Sequence, residues 1–377
     1  MKTLAFLIVV IVAGAWLIWR RRMPPSRNYD SIDAIVPAFN EELCIADTVR
    51  GLLASRYINR VIVVDDGSTD GTAAILNGLA VQNPRLRILY QTNTGKSGAL
   101  TRALSFVQAP HVFLTDADTV LPHGNGLGHL LAEIERGADA VGGVPASNLA
   151  GAGLLPHIRA TVKLPMIALK RTFQQLLGGA PFLISGACGL FKTEVLRAVP
   201  FSDRTKVEDL DMTWTLVAQG YKVRQSTRCI VYAQECNSLR AEWLRWRRWI
   251  IGYAVCMRLH WKLLFSRFGL FSILPMFLVV LIGLWAYAVS VSSTLAHGAI
   301  QHFSLALFPL IWVAVAYGIG AASALHYRRL VLFALAPAAV VYVLLAYAIW
   351  LIHGLRGLIT GVEPKRDKPV RYAHVVV

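Results

Sequence analysis

The chain is poor in acid, poor in cysteine and, over long stretches, without formal charge of either sign. Of its 377 residues only 22 are Asp or Glu, against 38 Lys or Arg, for a formal net charge of +16. Charged residues of both signs make up 16% and apolar residues 55%. That balance excludes an ordinary soluble globule, about a quarter of which is charged. The five cysteines, Cys44, Cys188, Cys229, Cys236 and Cys256, form no CxxC pair and no metal-ligand spacing. An odd, scattered set argues against a disulfide framework and fits a reducing compartment. There is no internal repeat and no long low-complexity linker.

The uncharged stretches sit at the two ends. Residues 4–19 carry no charge and are followed at once by Arg20, Arg21 and Arg22. A cleaved leader would carry its positive cluster first, so the run reads as a span. The cluster belongs in the cytosol, which leaves the N-terminus outside. No Asp, Glu, Lys or Arg occurs from Phe268 to Tyr327. That predicts spans near 270–290 and 303–324, and a further one near 330–352 beyond Arg328 and Arg329. Four spans strand the basic tail, with Arg356, Lys365, Arg366, Lys368 and Arg371, on the outside, against the charge rule. The expected divisions are an N-terminal span (1–25), a cytosolic domain (26–240), amphipathic interfacial helices (241–266), about three spans (267–353) and a basic tail (354–377). The basic residues track the membrane boundaries, so the excess charge points to headgroups and a phosphate-bearing substrate, with no nucleic acid as partner.

Between the apolar ends, short β-rich runs at 34–38, 61–64, 86–90 and 112–115 alternate with helical patterns at 42–54, 72–80 and 96–106. Such alternation predicts an α/β fold on a mostly parallel sheet. Ligands bind such sheets at the carboxyl ends of strands. Asp65 and Asp66 fall at the end of the second strand, and Asp116 and Asp118 at the end of the fourth. Asp65-Asp66-Gly67-Ser68 reads as a tight turn offering carboxylates to a base or ribose, or as a turn that caps the next helix. Asp116-Ala117-Asp118 places two carboxylates on one side of an extended segment, a pair of hard ligands for Mg²⁺ or Mn²⁺. Glu208, Asp209 and Asp211 open a helix. They complement its positive end, or Asp209 serves as general base to an acceptor hydroxyl. Trp243 to Trp249 is basic and aromatic, which suits an interfacial anchor, or a site where Arg248 meets diphosphate and Trp249 packs on a sugar.

In this order the motifs resemble the family 2 glycosyltransferases of GT-A fold, a Rossmann-like mixed sheet. They are most similar to membrane-bound synthases of β-linked polysaccharides such as poly-N-acetylglucosamine, chitin oligosaccharide and hyaluronan. The matching residues are Ile35-Val36-Pro37-Ala38-Phe39-Asn40-Glu41, Asp65 to Ser68, Asn93 to Leu100, Asp116-Ala117-Asp118, Ser185-Gly186-Ala187, Glu208 to Asp211, and Arg245-Trp246-Arg247-Arg248-Trp249. The resemblance implies an inverting enzyme with Asp209 as base and a divalent ion, Mg²⁺ or Mn²⁺, held by Asp118. It implies Pro37, Asn40, Glu41, Asp65, Asp66, Lys96 and Asp116 around the nucleotide. Glu208, Arg245, Arg248 and Trp249 would serve diphosphate and acceptor. The implied partners are a UDP-sugar (UDP-GlcNAc or UDP-glucose), a growing glycan or a lipid acceptor, membrane lipids and an accessory subunit. The implied location is the bacterial inner membrane, multi-pass, with the catalytic domain cytosolic. Two departures speak against cellulose: Val207 stands where cellulose synthases carry Thr, and no gating loop or cyclic-dinucleotide domain is recognisable. A scaffold that keeps the fold without turnover is the reading from another class, and the full carboxylate set argues against it.

Overall fold

A computed structural model describes residues 24–276, isolated positions between 278 and 292, residues 303–363 and residue 372; over 303–312 it describes the backbone alone. The expected span at 4–19 lies outside the described residues, and that at 270–290 is described only in part.

The first half of the domain follows the alternation closely. Strands β1 (Ile32–Ala38), β2 (Ile58–Asp65), β3 (Leu86–Tyr90) and β4 (His111–Leu114) are separated by helices α1 (Ile45–Leu53), α2 (Thr72–Gln82) and α3 (Gly95–Leu104). All four strands pair in parallel, in the order β3-β2-β1-β4. Helices cover both faces, so the strands are apolar almost throughout. Alternate residues serve opposite cores: Ala34, Val36, Val61 and Val63 pack on the α1 side, and Ile35, Ile62 and Val64 on the α3 side. α1 meets its core through Ile45, Val49, Leu52 and Leu53, and α3 through Ala99, Leu100, Ala103 and Leu104, both at helical spacing.

The second half breaks the parallel pattern. The two-residue strand β5 (Thr119–Val120) and helix α4 (Gly126–Glu135) lead into β6 (Ala140–Ser147). A long helix α5 (Leu154–Gly178) then precedes β7 (Gly189–Lys192), α6 (Thr193–Ala198), α7 (Glu208–Ala218) and β8 (Val223–Ala233). β7 runs antiparallel between β4 and β6, and β5 runs antiparallel to β8. The full order is β3-β2-β1-β4-β7-β6-β8-β5, a mixed sheet of eight strands. The sheet therefore departs from the mostly parallel expectation in its second half. There β7 and β5 run against their neighbours, and only β6 and β8 pair in parallel.

Helix α8 (Leu239–Leu259) carries the tryptophan motif and is capped by the Ser238 hydroxyl, which accepts from the Ala241 N–H at 3.2 Å. Beyond it come α9 (Phe303–Tyr327), a single turn α10 (Val331–Ala334) and α11 (Ala336–Thr360). The apolar run expected as one span at 330–352 is thus divided. Arg328, in the left-handed region at φ +54°, ends α9, and α11 runs on to Thr360. Among the described residues one helix, α11, is long and apolar enough to cross a membrane, with mean hydropathy 2.0.

Candidate active site

The carboxyl ends of β1, β2 and β4 open onto one rim, and the first cluster of polar residues is built there. Gly67 turns the chain after β2 in the left-handed region (φ +78°), and a Cβ there would come 3.0 Å from the Asn93 nitrogen. Asp65 accepts from the Ser68 N–H at 2.9 Å, which tightens this turn. Asp66 reaches across to the next loop. Its carboxylate accepts from the Thr94 N–H at 2.8 Å, the Gly95 N–H at 2.9 Å and Gln91 Nε2 at 2.7 Å. Asp66 therefore caps α3 from a distance and fixes the segment carrying Lys96. Pro37 is in β1. Just beyond, Asn40 adopts φ +53°, donates its N–H to Ser68 Oγ at 2.9 Å and accepts from the Thr69 N–H at 2.7 Å. The Glu41 N–H donates to Thr72 Oγ1 at 2.8 Å. Pro37, Asn40, Glu41, Asp65, Asp66 and Lys96 thus line one continuous rim.

The second cluster couples this rim to α7. Lys96 Nζ sits 2.6 Å from Asp116 and 2.8 Å from Glu208. Asp209 follows Glu208 in the first turn of α7, and its Oδ2 accepts from the Gly186 N–H at 3.0 Å. Burial pushes the Asp209 carboxyl above its ordinary range, and neighbouring Glu208 adds to the shift. Lys96 and the Gly186 N–H oppose it without cancelling it. The Leu210 N–H also donates to Asp209 Oδ1 at 2.9 Å, and a carboxylate held in place by these two bonds yet raised in this way is a better proton acceptor than a free one. Asp118 is almost buried and accepts from Thr119 Oγ1 at 3.3 Å. No group of three or more His, Cys, Asp or Glu converges among the described residues. The donor set still fits Mg²⁺ or Mn²⁺, which complete one or two carboxylates with water and substrate phosphate oxygens.

The third cluster is the inner face of α8. Trp249 meets Trp246 edge to face at 5.8 Å, with the Arg245 and Arg159 guanidinium carbons 5.3 and 5.5 Å from its ring centre. One turn on, Tyr253 packs edge to face on Phe182 at 5.5 Å. Burial lifts its hydroxyl far up, and the nearby charge of Asp209 adds to this. Arg248 is half-buried on the same helix. Arg245 is committed elsewhere: it pairs with Glu235 at 2.7 Å and with Glu242. Arg159 and Lys163 of α5 join the same carboxylates, at 2.8 Å to Glu242 and 2.6 Å to Glu235. Burial pushes the Glu235 carboxyl up, but Arg159 and Lys163 more than offset it.

Several of these groups carry no motif. Glu235, Arg159 and Lys163 are ordinary charges in the sequence, and only folding joins them. Asp211 is gripped by Arg204 at 2.8 Å and by His260 Nε2 at 2.7 Å, which ties the start of α7 to the end of α8. Tyr372 returns from the tail to the end of β8, with Gln234 donating to its carbonyl. Burial first, then the charges of Glu235 and Asp118, raise its hydroxyl to about 12.

Residues 33–199 match the model of glycosyl transferase family 2. An uncharacterized glycosyltransferase of Escherichia coli (strain K12), YaiP, is 58% identical over 382 residues, spanning all of this chain and 95% of its own. The chain belongs to glycosyl transferase family 2. It is a glycosyltransferase that resembles the polysaccharide synthases of that family. The poly-β-1,6-N-acetyl-D-glucosamine synthase of Staphylococcus aureus (strain COL) is 26% identical over 275 residues, 70% of this family 2 chain and 65% of that protein. A mannosyltransferase from Pyrobaculum calidifontis, solved with GDP-Man and Mn²⁺, superposes with a TM-score of 0.55 at 20% identity. It covers 93% of this chain and 98% of its own, and shows that this family 2 chain has the GT-A fold.

Proposed function

We propose that this family 2 enzyme moves a sugar with inversion from a UDP-sugar to a glycan hydroxyl and builds a β-linked oligosaccharide or polysaccharide at the cytosolic face of a membrane. The observation that carries the reading is the junction at α7, where Asp209 lies beside the Lys96–Asp116–Glu208 cluster and also near Tyr253, one turn beyond Trp249 on α8. Asp65 and Asp66 would hold the uridine, with Pro37, Asn40 and Glu41 completing that rim. Asp118 would hold Mg²⁺ or Mn²⁺, which when bound neutralises charge on the diphosphate. The acceptor O–H would lose its proton to Asp209 Oδ1 or Oδ2 as its oxygen bonds to the anomeric carbon. The bond from that carbon to the diphosphate would break, and UDP would leave with the electron pair. Arg248 would steady the leaving diphosphate and Trp249 the acceptor ring. Arg245, held by Glu235 and Glu242, would act by fixing the Trp249 ring.

The purified chain, given single UDP-sugars with Mg²⁺ or Mn²⁺, is expected to release UDP and to produce a ladder from one donor. Asp209→Asn is expected to keep UDP binding and lose transfer by about 10²- to 10⁴-fold, the range for a positioned general base. Wild-type turnover in that variant would sink the assignment. A second reading is single addition to a membrane lipid, favoured by the apolar helices that flank the acceptor side. A product that extracts into organic solvent and carries one sugar would select it.

A further inference from the structure

α11 has the length and composition of a membrane span, yet it is packed as no span can be. It lies beside α8 along nearly the whole length of both helices. Near the start, the Tyr342 hydroxyl donates to Glu242 at 2.6 Å, and Trp246 Nε1 lies 3.2 Å from that hydroxyl. In the middle, Trp350 packs with Ile250 and Tyr253. Near the end, a Cβ on Gly357 would stand 2.8 Å from that of Ala254, and one on Gly361 would meet the Arg258 guanidinium. The contacts advance in step, so the helices run parallel and share one depth.

α8 cannot cross hydrocarbon. Its apolar run lies between Arg248 and Arg258, and ten residues of helix rise about 15 Å against a core of about 30 Å. Arg240, Glu242, Arg245 and Arg247 precede that run. A helix fixed alongside it cannot cross either. Both ends of α11 are also tied to the catalytic domain. Just before it, the Leu332 carbonyl accepts from Thr161 Oγ1 at 3.2 Å. Just after it, Glu363 accepts from the Lys206 N–H at 2.7 Å and from the Thr205 hydroxyl. Further on, Tyr372 sits 3.4 Å from the Asn148 carbonyl, still on that domain.

The outer face of α11 is a single stripe. Val341, Leu345, Ile352, Leu355 and Ile359 recur at helical spacing and are 54–79% exposed. Exposed Arg240, Arg258 and Arg356 border the α8–α11 pair. An apolar stripe with cations at its edge suits anionic headgroups over acyl chains. Resting on the membrane reading above, we propose that α11 is an interfacial helix. Its stripe sinks into the acyl boundary of the cytosolic leaflet while α8 lies beside it. The spans then number three rather than four. An outside N-terminus now gives a cytosolic tail, and Lys365, Arg366, Lys368 and Arg371 satisfy the charge rule that four spans violate.

The test uses the full chain in bacterial spheroplasts with an impermeant maleimide. All five native cysteines are buried, so background labelling is low. Gln301→Cys is expected to label on intact spheroplasts, and His374→Cys only after lysis. Labelling of His374→Cys from outside overturns the proposal. If Gln301→Cys also labels only after lysis, the membrane-spanning reading fails instead. The interfacial helix is then judged by a photo-crosslinking amino acid at position 352. A phospholipid adduct there supports the proposal in either case. A crosslink to a second copy assigns the stripe to an oligomer and overturns it.

Discussion

Glu235→Gln probes how the inner face of α8, the proposed acceptor wall, is held. The wild-type cluster sets three cations, Arg159, Lys163 and Arg245, against two carboxylates, Glu235 and Glu242. Glu235 has a side chain only 1% exposed and meets all three cations, at 3.3, 2.6 and 2.7 Å. The amide keeps the shape and the Ser147 contact but removes the charge, leaving three buried cations against Glu242 alone. Breaking a buried pair in this way costs about 3–5 kcal/mol. For a domain of this size that corresponds to a loss of roughly 10 °C in the midpoint of thermal unfolding, read on the purified protein. The charge count supplies a control. Glu235→Gln with Lys163→Met sets two cations against one carboxylate, the wild-type excess of one, and is expected to recover at least half of the loss. A single variant within about 1 kcal/mol of wild type, or a double variant worse than the single, would refute the reasoning.

Four further outcomes are expected. Glu208→Gln removes a charge that raises Asp209, so the acid limb of kcat against pH should move to lower pH; Lys96→Met removes an opposing charge and should move it higher. An unmoved limb in both would disconnect that limb from Asp209. Gly357→Val drives a side chain into Ala254 and the Ile251 backbone, where a Cβ already stands at 2.8 and 3.1 Å, and should destabilise by about 1–3 kcal/mol in chemical denaturation. Chelation should abolish transfer, and added Mn²⁺ should restore it; full activity after chelation would remove the ion from the scheme. Asp66→Ala frees the Thr94 and Gly95 N–H groups and should raise KM for the donor at least as strongly as it lowers kcat.

The parallel half of the sheet was legible because each strand is a short apolar run closed by a turn, and both buried faces demand it. The rim acids were legible for the same reason, since they sit where those runs stop. β6, β7 and β8 were not, because their pairing is antiparallel or long-range and their composition is ordinary. α5 escaped notice because Pro165 and five basic side chains (Arg159, Lys163, Lys170, Arg171 and His157) disguise it as loop. The acceptor wall was half legible. The run from Arg245 to Trp249 announces itself, but its counter-ions stand at Glu235 and on α5, a spacing that no local pattern encodes. The break at Arg328 was legible from its charge, but the division of the last apolar run at Leu335 was hidden because the residues on both sides of it are apolar.

Glu363 joins two worlds that are usually studied apart. Its carboxylate closes α11 against Thr205 and Lys206, and Glu208 is two residues further along the chain. Whatever solvates the outer stripe of α11 is therefore mechanically close to the carboxylates proposed to be catalytic. A detergent that strips or splays that helix would slow the enzyme without touching its substrate pocket. Lost activity after extraction would then be a statement about the choice of micelle, and bilayer discs the fairer medium in which to count turnovers.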